Sequence, residues 1–496
     1  MSNVDRTDIV LVNPRHRFGK EIFRSQRHVV PLSLLAVATP VDAAGYRVEI
    51  IDQKTHPQWK KRLLAALQRE PLCVGLTCKS GPQIAHALEI SRLVKQHSSA
   101  PVVWGGVHPS LLPAQTLENE FVDIVVQGEG EETFLELVDT LKHGGRLDGV
   151  KGIWYKANGE LRGNPTRPLI DLNQQPPLAY HLVDVHEHLE MKLGNPLLRT
   201  FTSRGCAYKC TFCYNVGFNQ AMWRGLSAEK TIERLLDLAT RYDLKGFIFS
   251  DDNFFGDLDR ARRILEGLTE DGRGLVLAKL DIRADILYDL DDDFLWLMKK
   301  AGCSVLNVGL ESGSERILKL IKKGITIPQI LAINSRLKPF DIIPKYSFIM
   351  GYPTETREEL GQTVSFILHL IAENPDIVKS LNFYTPLPGT ELMDLAVEHG
   401  FSVPERLEDW IPFNYRTVNL PWLSDDRKKL MEMLHCCTNF LENHSFFDPK
   451  IDIHPIFRHL AKLYRPFARF RVEKMFYRLP LEIRLFEALG LYKKQA

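Results

Sequence analysis

Three thiols in one short stretch set the chemistry open to this chain. In Thr202-Ser203-Arg204-Gly205-Cys206-Ala207-Tyr208-Lys209-Cys210-Thr211-Phe212-Cys213-Tyr214 the cysteines stand four and three residues apart, behind an Arg-Gly pair. Three thiolates so spaced can converge on one object and leave a fourth position free, which suits an iron-sulfur cluster with one open iron. A structural zinc ion wants four ligands, and no fourth Cys or His follows at zinc-ligand spacing. The other cysteines, Cys73, Cys78, Cys303, Cys436 and Cys437, are scattered and form no Cys-x-x-Cys pair. Neither a disulfide framework nor a second cluster is expected from them. Cys436 and Cys437, in the apolar stretch Leu434 to Phe440, read as buried helix thiols.

These thiols need elements to hold them. Apolar runs at Leu198 to Thr202, Gly246 to Ser250, Ala278 to Ile282, Val305 to Leu310, Tyr346 to Met350 and Leu381 to Tyr384 alternate with helical stretches. Six strand-helix units predict a partial (β/α)6 barrel over 196–392, with chemistry at the carboxyl ends of its strands. Polar residues gather there: Asp251, Asp252 and Asn253 after the second strand, Arg283 after the third, Glu311-Ser312-Gly313 after the fourth, and Gly351-Tyr352-Pro353 after the fifth.

Ahead of the barrel, residues 1–150 alternate short strands (Ile9 to Val12, Arg47 to Ile51, Cys73 to Leu76, Val102 to Trp104, Ile124 to Val126) with helices such as Leu32 to Ala44 and Ile84 to His97. That order predicts a doubly wound parallel sheet, an α/β Rossmann-like domain whose post-strand loops meet ligand. The loops Thr77-Cys78-Lys79-Ser80-Gly81, Gly105-Gly106-Val107-His108-Pro109-Ser110 and Gly128-Glu129-Gly130-Glu131 are glycine-rich, so backbone can approach a bulky ligand. Prolines 165, 168, 176, 177 and 196 mark 151–195 as a linker. Residues 393–496 read as a mainly helical region. Its end, from Pro455, interleaves cations (Arg458, Lys462, Arg465, Arg469, Arg471, Lys474, Arg478, Arg484, Lys493, Lys494) with aromatic and apolar residues. Two readings of this basic amphipathic tail stand: a helix lying on an anionic membrane surface, or a lid packed on the barrel with its arginines in water.

The whole chain narrows the classes. Lys plus Arg number 63 against 62 Asp plus Glu, a formal net charge of +1 over 496 residues, so no global field favours nucleic acid. The first residues are polar, and no apolar run reaches membrane-spanning length, so a cytoplasmic protein is expected.

The cysteine stretch resembles the radical S-adenosylmethionine (SAM) superfamily, whose signature is Cys-x-x-x-Cys-x-x-Cys with an aromatic before the last Cys; Phe212 fills that position. The resemblance implies that Cys206, Cys210 and Cys213 ligate a 4Fe-4S cluster whose open iron chelates SAM. It further implies that Asp251, Asp252 and Asn253 hold the methionyl amine, that Arg283 pairs with the SAM carboxylate, and that Glu311 contacts the ribose or amine. An external one-electron reductant of flavodoxin or ferredoxin type is implied as a partner.

Gly105-Gly106-x-His108-Pro-Ser and Gly128-Glu129-Gly-Glu-x-Thr, ahead of such a core, resemble the cobalamin-binding domain at the N-terminus of one large class of radical SAM enzymes. This implies cobalamin contacts at Thr77, Ser80, Gly105, Gly106, His108, Gly128 and Glu129. Many cobalamin domains outside the class carry Asp-x-His-x-x-Gly, the His ligating cobalt. Here Pro14-Arg15-His16-Arg17-Phe18-Gly19 lacks the Asp that would fix the imidazole's tautomer, so His16 reads as a loop histidine. The class resemblance implies methyl transfer to an unactivated carbon through methylcobalamin and a 5'-deoxyadenosyl radical. The substrate would be a small molecule, with the tail tilting toward a hopanoid-like lipid. The alternative is oxidative cyclisation, hydroxylation or ring rearrangement with the same cofactors.

Overall fold

The computed structural model describes residues 7–16, 29–192, 195–414, 420–443, 455–478, 480 and 484. Residues 17–19 of the His16 loop, and Glu482, Glu487, Lys493 and Lys494 of the tail, lie outside them. So do the side chains of Phe457, Arg458 and Leu460. The chain forms two compact units. The first comprises 1–191, 214–226 and 403–413; the second, 192–213, 227–402 and 414–496.

The first unit is built on a parallel sheet. Strands β1 (Ile9–Asn13), β2 (Val48–Asp52), β3 (Cys73–Thr77), β4 (Val102–Gly105) and β5 (Ile124–Val126) lie in the order β2-β1-β3-β4-β5 and run parallel. All five residues of β1 are buried, as a β-branched run covered on both faces requires. Helix Leu32–Ala43 ends where Gly45, at φ +86°, takes the left-handed conformation. The strand order reverses between β1 and β3, so the crevice at their carboxyl ends is where such a sheet receives ligand.

The sheet continues past residue 150, into the stretch read as linker. Strands β6 (Ile153–Ala157) and β7 (Glu160–Gly163) add to it antiparallel, joined by Asn158 (φ +52°) and Gly159 (φ +80°). Asn-Gly with both residues left-handed is the two-residue hairpin turn that matches strand twist. Irregular chain with short 3-10 turns follows, through the prolines.

Two distant segments complete this unit. Trp410 is fully buried in it, its indole N–H donating to Gln115 Oε1 at 2.8 Å. Gln115 in turn donates to the Pro404 carbonyl at 2.7 Å, and Asn119 to Glu408 at 2.7 Å.

The second unit carries six parallel strands in chain order: β8 (Asn195–Thr200), β9 (Gly246–Phe249), β10 (Val276–Arg283), β11 (Val305–Glu311), β12 (Ile343–Met350) and β13 (Val378–Phe383). Each is followed by helix, as a partial barrel requires. Leu197, Ile248 and Ala278 from neighbouring strands form one buried cluster. Helix Arg357–Glu373 starts with a capping box: Thr356 Oγ1 accepts from the Glu359 N–H and Glu359 reaches back to the Thr356 N–H. This cap fixes the turn after β12. Cys436 and Cys437 are buried in helix Asp425–Cys437, as expected.

Candidate functional site

The cysteine loop is fastened at its start by two adjacent carboxylates from the end of β9. Asp251 is buried, and both its oxygens are taken: Oδ1 accepts from the Thr202 N–H at 2.7 Å, while Oδ2 accepts from the hydroxyls of Thr202 and Ser203 at 2.6 Å each. Burial pushes its carboxyl upward, and these donors with Arg260 act against that. Asp252 accepts from the Gly205 N–H at 2.8 Å, where Gly205 turns at φ +77°. Both carboxylates expected at the SAM amine therefore hold the loop itself. Asn253 is buried beside them.

Beyond Gly205 the thiols separate by environment. Cys210 is buried, whereas Cys206 and Cys213 are half-buried, and the Cys213 N–H donates to the Cys210 carbonyl at 3.1 Å. Arg283, at the end of β10, lies on this loop. Its Nη1 is 3.2 Å from Cys210 Sγ, its Nε and Nη2 donate to Asp285 at 3.0 and 2.9 Å, Nη2 also donates to the Lys323 carbonyl at 2.6 Å, and it stacks 3.5 Å over the Tyr208 ring. The guanidinium is thus engaged with the loop at Cys210 and Tyr208, with Asp285 and with the Lys323 carbonyl. Burial pushes the Cys206 thiol up, against the pull of the Tyr208 N–H and Arg283. Among the described residues no three His, Cys, Asp or Glu side chains stand close enough to hold a single metal ion. Three soft thiols spread along one loop, one beside a guanidinium, fit the wider body of an iron-sulfur cluster.

The next strands supply further buried polar groups. Glu311 ends β11 at φ +69°, in the left-handed region, and pairs with Lys323 at 3.0 Å, both nearly inaccessible. A Cβ on Gly309 would strike that carboxylate, so glycine there lets the pair form. Sequence reading passed over Lys323, although a lysine pair inside Ile321 to Ile325 was a visible signal. After β12 and β13, the hydroxyls of Tyr352, Tyr384 and Thr385 are buried with no hydrogen-bond partner among the described residues. The Tyr352 and Tyr384 rings lie 5.6 Å apart, and Phe212 is edge-on to Tyr352 at 6.4 Å. Buried hydroxyls of this kind call for a polar ligand, and a nucleoside fits them. Glu355 accepts from the Gly351 N–H at 2.6 Å, and burial pushes its carboxyl up to about 7.

In the first unit, the post-strand loops interlock. The Cys78 N–H donates to the Gly105 carbonyl at 2.8 Å and the His108 N–H to the Cys78 carbonyl at 3.2 Å; a Cβ on Gly106 would press into Cys78 backbone. Thr77 Oγ1 accepts from Ser33 at 3.3 Å. Gly128 turns at φ +78° with open space where a Cβ would stand, its N–H donating to Ser110 Oγ at 2.9 Å. Glu129 is committed elsewhere than expected: its carboxylate accepts from the Ile170 N–H at 2.9 Å and from Arg224 at 2.7 Å, tying in two later segments. His16 is half-buried on its loop.

His108 is fully buried, with Nδ1 2.8 Å from Ser80 Oγ and its ring edge-on to Trp410 at 5.8 Å; Nε2 has no hydrogen-bond partner among the described residues. An orphaned imidazole nitrogen and an open glycine turn beside the ligand crevice fit a large amide-rimmed cofactor such as a corrinoid. Burial lowers the His108 pKa to about 4. Its unfolded value is about 6.5, so between those values only the unfolded chain binds the proton. The stability this group contributes is whole above the unfolded value and is lost as pH falls toward 4. In urea unfolding followed by circular dichroism, the chain is expected to lose about 2–3 kcal/mol between about pH 7.5 and about pH 4.5 from this group, a loss absent in His108→Gln. Equal slopes in both proteins would contradict the burial of a neutral ring.

Two family models match the chain: the B12 binding domain over residues 24–138 and the radical SAM superfamily over 200–367. Among curated proteins it is 34% identical over 375 residues to an uncharacterized methyltransferase of Pyrococcus horikoshii, covering 74% of this chain and 78% of the relative. It is 25% identical to the cytidylyl-2-hydroxyethylphosphonate methyltransferase of Streptomyces wedmorensis, covering 84% and 86%. Among solved structures, the cobalamin-dependent SAM radical enzyme OxsB shares the fold with TM-score 0.72 at 19% identity, covering 98% of this chain and 75% of that one.

Proposed function

We propose, for a chain that belongs to the B12-binding radical SAM enzymes, that the reaction is methyl transfer to an unactivated carbon of a small molecule. When bound, the cluster supplies the electron that cleaves SAM, and cobalamin supplies a carrier for the methyl group. The observation that carries the reading is the match to methyltransferases over a length that takes in both the B12-binding and the radical SAM segments. In this reading Cys206, Cys210 and Cys213 hold the cluster. Asp251 and Asp252 set the loop's path, and Arg283 braces the loop at Cys210 and Tyr208. Phe212, Tyr352, Tyr384 and Thr385 frame the nucleoside part of SAM, with Asn253 and the Glu311–Lys323 pair beside it. Thr77, Ser80, Gly105, Gly106, His108 and Gly128 face the corrinoid, while Glu129 supports that loop from behind. The electron comes from an external reductant of flavodoxin or ferredoxin type, and the substrate class we favour is an apolar lipid.

The protein's part is positioning and exclusion of water, with the cysteine loop fastened at its start by Asp251 and Asp252. Anaerobic reconstitution with iron, sulfide and cobalamin, followed by incubation with methyl-deuterated SAM, a reductant and total lipid extract, tests it. Formation of 5'-deoxyadenosine together with S-adenosylhomocysteine, and a lipid gaining the deuterated methyl, is the expected result by mass spectrometry. Deoxyadenosine without S-adenosylhomocysteine would overturn methylation in favour of an oxidative reaction.

A further inference from the structure

Helix Pro455–Glu473 packs on the second unit by one face. Ala461, Ala468 and Val472 are buried, Tyr464 meets the Phe440 ring at 5.0 Å, and Arg465 donates to the Leu441 carbonyl at 2.6 Å. With about 100° between successive residues, Leu463 and Phe470 project from the opposite side, and Phe467 stands beside them. Their exposures are 78%, 48% and 37%.

A helix that only covered a barrel would turn polar side chains outward. Here the outward stripe is apolar, and its margins are cationic: Lys462, Arg469, Lys474 and Arg478 are exposed, and Glu473, paired with Arg469 at 2.8 Å, is the one carboxylate in 455–478. We propose that this face docks on an anionic lipid surface. Leu463, Phe467 and Phe470 enter the headgroup-acyl boundary while the four cations meet lipid phosphates. A second copy seated on the same stripe would set cations against cations, which disfavours self-association as its use. Among the described residues no helix is long and apolar enough to cross a membrane, so the contact is one of lying on the surface. It is separate from the reaction, and its test needs no turnover.

The full chain is sedimented with phosphatidylglycerol-containing vesicles and with phosphatidylcholine vesicles. Two variants are compared, Leu463→Ser/Phe470→Ser and Lys462→Glu/Lys474→Glu, all four positions being exposed; circular dichroism checks their fold. Wild type is expected to sediment with the anionic vesicles and at least about tenfold more weakly with the neutral ones, and each variant to bind anionic vesicles at least about tenfold more weakly than wild type. The proposal falls if wild type fails to bind anionic vesicles, or if both variants bind as wild type does. It also falls if light scattering shows a wild-type dimer that Leu463→Ser/Phe470→Ser dissolves, for then a second copy covers the stripe.

Discussion

Cys210→Ala is expected to leave a folded chain that holds no stable cluster and forms no 5'-deoxyadenosine above background. Cys210 is the buried member of the three thiols and the one that Arg283 touches, at 3.2 Å. Deleting the thiol removes one of the three proposed cluster ligands, yet Arg283 keeps its two bonds to Asp285 and its bond to the Lys323 carbonyl, so the surrounding frame survives. Two companions separate ligation from support. Arg283→Met removes the neighbour and keeps the ligand, and a loss of about 10–100-fold in cluster affinity is expected, the usual cost of an outer partner. Cys303→Ala alters a thiol that is just as buried but lies outside the loop, and full cluster content is expected. Iron and sulfide content after anaerobic reconstitution, with the cluster's visible absorbance, reads all three. Retention of cluster and SAM cleavage by Cys210→Ala would remove the loop from the chemistry altogether.

The same residues show what a sequence can disclose. Strand positions were legible because a buried parallel strand is a short apolar run, and the cysteines because a cluster constrains their spacing. The partners of Asp251, Arg283 and Glu129 were not. A position at a strand end places a side chain near the ligand, but which group takes its hydrogen bonds depends on chain dozens of residues away: Thr202 for Asp251, Lys323 for Arg283, Arg224 for Glu129. Trp410 was hidden for a similar reason. It sits in a stretch with little helical or strand periodicity, and it packs against Gln115 and His108, about three hundred residues earlier. The hairpin of β6 and β7 was within reach, since Asn158-Gly159 is a turn signal. The prolines that follow led the whole stretch to be read as linker.

Lys323→Met is expected to destabilise the second unit by about 3–5 kcal/mol, because it leaves the Glu311 carboxylate buried beside no cation. Lys323 and Glu311 are 7% and 8% exposed at the side chain, so water cannot replace the missing partner. The position is also strained: Glu311 sits at φ +69°, and the register of β11 against β12 slips between Gly309 and Glu311. Strain of about 1–3 kcal/mol at a strand end persists only where surrounding contacts over-determine it. The pair supplies that determination here, holding the carboxylate toward the Tyr352 side of the barrel, where Glu311 is among the charges that raise the Tyr352 pKa. The double variant Glu311→Gln/Lys323→Met removes the charge with its partner and should recover more than half of the lost stability, since an uncharged amide tolerates burial far better than a carboxylate. Urea unfolding of the three proteins measures this. If Lys323→Met alone costs less than about 1 kcal/mol, the carboxylate has another partner, and Lys323 is not what holds Glu311 at its strained turn.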